Sequence, residues 1–369
     1  MEIQYTRRLE KIEAVLDKWL PEGNPDKSWL DMVFPRQENL VSEYAAGLAR
    51  PGRDLLKRGG KRWRPLLMVL AAESVAGESG GEAALQLTPI VEFCHTASLI
   101  HDDIEDNSDE RRGKPAVHLV YGTDTAINGG TFLYFLPLAC LSVWAEEQRN
   151  SGKKADAVDR IWTVWASHMR ALHLGQAMDI SWHRDFHSLP GLDEYDRMCR
   201  LKTGCLARLA AVLGVYCAST YSTEPESANL TELAEIFGRA AEQLGVGFQI
   251  LDDVKNLDTG IPGKKRGDDI VEGKKSLPVL LYLHRYPEKR DFTARCFAAA
   301  RTRGIGAPEA EELIAALEKA GVLEEAREKG MEYIRESRRI FSEPVCAGLP
   351  LKKEGQELLA GLIDSLAWK

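Results

Sequence analysis

The sequence is poor in the cysteine spacing that cross-linked domains use. Its seven cysteines (94, 140, 199, 205, 217, 296 and 346) include no Cys-x-x-Cys pair. An odd count without framework spacing reads as free thiols in a reducing compartment. Excess positive charge is also missing. The formal net charge is -8, which argues against nonspecific nucleic-acid binding. The opening Met-Glu-Ile-Gln-Tyr-Thr-Arg-Arg has no apolar core of the kind a signal peptide needs. The longest apolar run, Thr131 to Ala145, carries Pro137 inside it and is shorter than the ~20 residues of a membrane span. There is no run of alternating strands, no internal repeat, and no Ser/His/Asp or Cys/His constellation. These absences leave a soluble cytoplasmic protein of the all-α class. The long helical patterns, broken briefly by Gly, Pro or charge, predict a single domain over residues 1–369, with residues 1–50 and the C-terminal helices peripheral to the core.

What is present is organised around Leu99-Ile-His-Asp-Asp-Ile-Glu-Asp-Asn-Ser-Asp-Glu-Arg-Arg-Gly-Lys-Pro115. On a helix, Asp102 and Asp106 share a face one turn apart, with Asp103 beside them. Crowded carboxylates repel, so a cation belongs among them. Oxygen donors without His or Cys suit a hard ion such as magnesium, which takes one or two carboxylates plus substrate phosphate oxygens. Arg111 and Arg112 supply fork-shaped donors for those phosphates. An acidic cluster alone, however, is more often a solvated helix end.

A second feature tips the balance. Asp252 and Asp253 also end an apolar helix, with Gln249 one turn earlier. Two such helices predict a cavity with acids on each wall, apolar below its rim, matching a ligand with a diphosphate head and a hydrocarbon tail. Gly59-Gly60 followed by Lys61, Arg62 and Arg64 at a helix start reads either as an anion site or as a solvated basic loop. His95 lies two turns below Asp102 on the same face. Lys202-Thr-Gly204 interrupts an apolar helical pattern, and Gly263 to Lys275 reads as a basic loop.

In chain order, the motifs are Gly59-Gly-Lys-Arg-Trp-Arg-Pro65, His101-Asp-Asp-Ile-Glu-Asp-Asn-Ser108 with Arg111-Arg-Gly-Lys-Pro115, His173-Leu-Gly-Gln-Ala-Met-Asp-Ile180, Lys202-Thr-Gly204, Gln249-Ile-Leu-Asp-Asp-Val-Lys-Asn256 and Gly267-Asp-Asp-Ile-Val-Glu-Gly-Lys274. Together they resemble the trans-isoprenyl diphosphate synthases, and most of all geranylgeranyl diphosphate synthases of the eukaryotic kind. The resemblance implies a helical bundle, magnesium dependence and a homodimer. It implies that Asp102, Asp103, Asp106 and Asp252 bind the metal. It implies that Arg111, Lys202, Thr203, Gln249, Lys265 and Lys274 hold an allylic diphosphate. It further implies that Gly60, Lys61, Arg64, His95 and Arg112 hold isopentenyl diphosphate, with Gln176 and Asp179 as further contacts. Asp102, Asp103, Asp106, Arg111, Lys202 and Asp252 would carry the chemistry.

Three departures stand out. Asn256 replaces an aspartate common in relatives, Lys255 precedes it, and Glu110 replaces a leucine before the arginine pair. Ser98 and Ala97 are small where shorter-product relatives carry aromatics, so the expected product is longer than farnesyl diphosphate. Phe132, Tyr134 and Phe135 are candidate floors for the tail. Two rival readings are a class I terpene cyclase, which would lack the second anion site, and a non-catalytic subunit of a prenyl synthase, which would lack one aspartate cluster.

Overall fold

The structure, a computed structural model, describes residues 2–37, 39–151, 156–220, 228–260, 265–342 and 351–367. Cys346 therefore lies outside the described residues. In chain order the helices are α1 (Glu2–Trp19), α2 (Lys27–Val33), α3 (Ser42–Lys57), α4 (Trp63–Leu85), α5 (Thr88–Glu105), α6 (Val117–Tyr121), α7 (Thr123–Asn150), α8 (Asp156–Arg184), α9 (Leu192–Cys199), α10 (Cys205–Ser219), α11 (Ala228–Asp258), α12 (Asp268–Glu272), α13 (Leu277–Arg285), α14 (Arg290–Arg303), α15 (Pro308–Lys319), α16 (Val322–Ser342) and α17 (Lys353–Ala367). The all-α class is what the periodicity predicts. The only strands among the described residues are β1 (Glu110–Arg111) and β2 (Lys114–Pro115), paired antiparallel. The chain gathers into two compact units: Met1–Ser167 with Leu209–Gly238 and Phe341–Leu362, and His168–Arg208 with Arg239–Ile340 and Ile363–Lys369.

In the first unit α5 is the central rod. Pro89 suits its first turn, and Ile90, Val91, Phe93, Cys94, Ala97 and Ile100 are buried along it. It packs on α7, α4, α3 and α1. Residues 1–50 contribute to the packing of this unit: Ile12, Leu16 and Leu20 are fully buried, and Arg8 clasps Glu73 of α4 through Nε and Nη2 at 2.8–3.1 Å. Pro137 stays within its helix. It is buried inside α7, which runs unbroken to Asn150. Both α7 and the segment Leu192–Ser219 are long and apolar enough to cross a membrane, although the latter is mostly buried within the protein.

The second unit has its own apolar centre, in which Val246, Ile250, Leu257, Ile270, Leu280, Phe297, Leu313 and Ile314 are each at most 2% exposed. The helix that carries Lys202-Thr-Gly204 runs continuously over Leu192–Ser219, its α9 and α10 parts joined by a π-helical turn at Arg200–Gly204. Such wide turns recur at functional sites because they redirect side chains without ending the helix. Close approach of backbones fixes this one. A Cβ on Gly175 of α8 would sit 2.5 Å from the Lys202 nitrogen, and one on Gly245 of α11 would sit 2.7 Å from the Gly204 Cα.

Candidate active site

The first cluster is built where α5 ends. Asp102 and Asp106 are half-exposed, whereas Asp103 is fully buried. The difference follows from helix geometry, since adjacent residues point ~100° apart. Arg111 Nε donates to Asp103 Oδ1 at 2.7 Å, and Arg111 Nη2 lies 3.6 Å from Asp102 Oδ2. Arg111 comes from the β1–β2 hairpin, whose turn residues Arg112 and Gly113 have φ of 55° and 74°. Positive φ at both central residues is the tight hairpin turn that matches strand twist. Glu110 is exposed on that hairpin, so its extra charge faces outward.

Close by in the same unit lies the glycine loop. Arg112 Nη1 donates to the Leu55 carbonyl at 2.9 Å, and its Nη2 would be 3.0 Å from a Cβ at Gly60. Only glycine therefore lets the loop backbone pass beside that guanidinium. Arg64 Nη1 donates to His95 Nε2 at 3.4 Å. Burial, then Arg64 and the other arginines, hold His95 well below its ordinary 6.5, so the ring is neutral. Burial likewise lowers Arg112 to about 10. Lys61 is exposed at the head of the loop. Arg62, one of the cations of the basic helix start, forms a buried pair at 3.0 Å with Glu92, which the sequence reading did not assign to the site.

The second cluster occupies the other unit. Asp253 is 1% exposed while Asp252 is half-exposed, the same asymmetry as in the first. Asp253 accepts from Lys274 Nζ and Gln249 Nε2, each at 2.7 Å, and from the Tyr195 hydroxyl at 3.2 Å. Gln249 Oε1 accepts from Thr203 at 2.7 Å, and Lys202 Nζ donates to Asp179 at 2.6 Å. Burial pushes the Lys274 ammonium down, but Asp253, Asp269 and Asp179 more than offset it and hold it well above its ordinary value. Lys202, Thr203, Gln249 and Lys274 thus come together. Lys265 is exposed, and its backbone N–H donates to Asp268 at 2.7 Å.

The departures find physical reasons here. Asn256 is 1% exposed, its Oδ1 accepts from the Asp269 N–H at 3.1 Å, and its Nδ2 donates to the Lys265 carbonyl at 3.3 Å. An amide satisfies both partners, whereas a carboxylate would face the carbonyl with no proton to donate. Lys255 lies in the last turn of α11, where a cation complements the helix dipole. The tail-floor candidates divide: Phe132 stacks on Phe34 and Tyr134 on His101, while Phe135 is 58% exposed. Ala97 is fully buried and Ser98 half-buried.

Among the described residues no three His, Cys, Asp or Glu side chains converge on a ready-made metal cage. The half-exposed carboxylates Asp102 and Asp106 at i,i+4, with basic groups around them, instead suit an ion that completes its shell with phosphate oxygens.

The helical architecture, with paired acids beside arginine and lysine side chains, is that of a prenyltransferase of the chain-elongating kind. The chain belongs to the polyprenyl synthetase family, whose sequence model matches residues 46–310. It is 31% identical over 308 residues to a geranylgeranyl pyrophosphate synthase of Geoglobus acetivorans, covering 82% of this chain and 86% of that protein. A geranylgeranyl pyrophosphate synthetase from Pyrococcus horikoshii Ot3 superposes with TM-score 0.77 at 24% identity, covering 100% of this chain and 99% of that one. A polyprenyl synthase from Caulobacter crescentus CB15, complexed with calcium and isoprenyl diphosphate, superposes with TM-score 0.74 at 22% identity over 99% and 95% of the two chains.

Proposed function

We propose that this enzyme condenses isopentenyl diphosphate with an allylic diphosphate and releases mainly geranylgeranyl diphosphate, using magnesium. Asp102 and Asp106 are the metal carboxylates of the first cluster, and Asp252 that of the second. Asp103 belongs to Arg111 in this reading and supports the site by holding that guanidinium. The ion, when bound, supplies positive charge to a departing diphosphate. Lys202, Thr203, Gln249, Lys265, Lys274 and Arg111 hold the allylic diphosphate. Their cations stabilise charge as the allylic C–O bond breaks to a resonance-stabilised carbocation. Gly60, Lys61, Arg64, His95 and Arg112 hold isopentenyl diphosphate so that its double bond is aligned to attack. The neutral His95 accepts from Arg64 and keeps that guanidinium in place. A proton then leaves the new chain, and no side-chain nucleophile takes part.

The observation that carries this reading is the pairing of each acid cluster with its own cation: Arg111 on Asp103 and Lys274 on Asp253. The likeness to the synthase from Geoglobus acetivorans, and the calcium and isoprenyl diphosphate named with the Caulobacter protein, support it further. The exposed Leu119, Val120, Ile127 and Phe135 on α6 and α7 support a homodimer. We read the protein as soluble and cytoplasmic. The test is to incubate the purified chain with labelled isopentenyl diphosphate and dimethylallyl, geranyl or farnesyl diphosphate, then separate products by chain length. Twenty-carbon product, lost with chelator and restored by magnesium, is expected. Mainly fifteen-carbon product overturns the assigned length, and turnover of an allylic diphosphate alone marks a cyclase.

A further inference from the structure

We infer that Glu13, on the N-terminal helix and outside the residues matched by the family model, is a positioning residue for the isopentenyl diphosphate site. The inference rests on the assignment of Lys61, Arg64, His95 and Arg112 to that substrate. Arg62 lies between Lys61 and Arg64, and its φ is 47°. A residue with a Cβ adopts that left-handed conformation only where its surroundings over-determine it. What determines it here is the Arg62 guanidinium. Nε donates to Glu13 Oε1 at 2.7 Å, Nη1 to Glu92 Oε1 at 3.0 Å and to the Gly59 carbonyl at 3.2 Å, and Nη2 to the Leu56 carbonyl at 2.5 Å.

Glu92 and His95 are three residues apart on one face of α5, so one rod holds Arg62 and Arg64 together. Glu13 closes the arrangement from the far side. Helix α1 brings it there because Arg8 is clasped to Glu73 and Ile12 and Leu16 are buried, while the exposed Asp17–Lys57 pair at 2.7 Å adds little. Freed from Glu13, Arg62 can swing and let the loop leave its left-handed turn. Gly60, whose absent Cβ would lie 2.7 Å from Arg62 Nη1, then loses the wall that sets its backbone. Lys61 and Arg64 flank Arg62 directly and move with it.

Charge and geometry act in opposite directions here, which makes the inference separable from simple electrostatics. Removing a carboxylate near an anion site strengthens diphosphate binding by lowering local repulsion. Removing the hydrogen-bond acceptor weakens it by releasing the loop. Glu13→Gln does the first and keeps an acceptor, whereas Glu13→Ala does both. Steady-state kinetics with each substrate varied in turn tests this. Glu13→Ala raises the KM for isopentenyl diphosphate about five- to tenfold, with kcat and the allylic KM within about twofold of the unaltered enzyme. Glu13→Gln restores the isopentenyl KM to the starting value or below. Asp17→Ala, which cuts a different tether of α1, leaves both KM values in place. The inference is overturned if the Glu13→Ala effect falls equally on both substrates, if only the melting temperature drops, or if Asp17→Ala reproduces it. An unaltered enzyme that never consumes isopentenyl diphosphate overturns the functional assignment instead.

Discussion

Replacing Asp253 with alanine separates the structural from the chemical member of an aspartate pair. The carboxylate is 1% exposed, sits 2.7 Å from Lys274 and Gln249, and accepts from Tyr195 at 3.2 Å. Its loss leaves a mostly buried ammonium whose remaining paired carboxylate is Asp269 at 3.6 Å. Breaking a buried pair by removing one partner costs ~3–5 kcal/mol. The 16% exposure of the Lys274 side chain and the attraction of Asp269 place this case at the lower end, about 3 kcal/mol. At roughly 2–4 °C per kcal/mol for units of this size, the melting point falls by about 6–12 °C. Lys274 is held above its ordinary 10.5 by these carboxylates. Its contribution is therefore fully present at neutral pH and is lost only as pH rises through the raised value. Asp252→Asn, at a half-exposed position, changes stability by no more than about 0.5 kcal/mol, yet lowers magnesium-dependent turnover at least about a hundredfold. Thermal melting with chelator present, followed by product assays with magnesium, measures both. An Asp253→Ala protein that melts with the unaltered enzyme, beside an Asp252→Asn protein that unfolds early, refutes the division of roles.

Other expectations follow the same geometry. Ser98→Phe shortens the product toward fifteen carbons with little change in melting, because the site is half-buried. Ala97→Phe instead overpacks a fully buried position and costs about 1–3 kcal/mol by melting. Because burial and the neighbouring arginines depress His95, its contribution to stability is complete above the unfolded value near 6.5. As pH falls below that value it is lost at up to about 1.4 kcal/mol per pH unit. His95→Gln accordingly flattens the stability curve between about pH 5 and 6.5 in denaturant titrations. Gly175→Ala places a Cβ 2.5 Å from the Lys202 backbone nitrogen, so the π-helical turn must shift. The allylic KM rises while the isopentenyl KM does not, and a KM pattern with the two reversed counts against the assignment of Lys202.

The two aspartate-bearing helices were legible because each carries a long 3.6-residue apolar pattern; α5 stops at Glu105, just after Asp102 and Asp103, whereas α11 runs on past Asp252 and Asp253 to Asp258. Lys202-Thr-Gly204 was visible only as a polar interruption, because a π-helical turn keeps nearly helical backbone angles and leaves no distinct signal in the sequence. Pro137 is carried inside α7, where tertiary burial outweighs its lost hydrogen bond. Glu92 and Glu13 were missed because their ion pairs with Arg62, 30 and 49 positions away, follow no local period. A charged residue at an apolar-facing position of α5 was the one hint, and Glu92 supplies it.

The two clusters also show why a pair of adjacent aspartates is worth more than two scattered ones. Side chains about 100° apart on a helix meet different depths of the fold. When one, Asp103 or Asp253, turns into the packed interior, it must meet a cation there, because an unpaired buried charge is too costly. The cation it meets, Arg111 or Lys274, is thereby fixed, and Arg111 Nη2 also lies 3.6 Å from the half-exposed Asp102. One dipeptide thus sets an exposed acid and a positioned base next to each other, with both anchored to the same turn of helix. A metal–diphosphate pair needs that alternation of charge. Exchanging the members, with Asn at the exposed position and Asp kept at the buried one, preserves the scaffold and removes the chemistry.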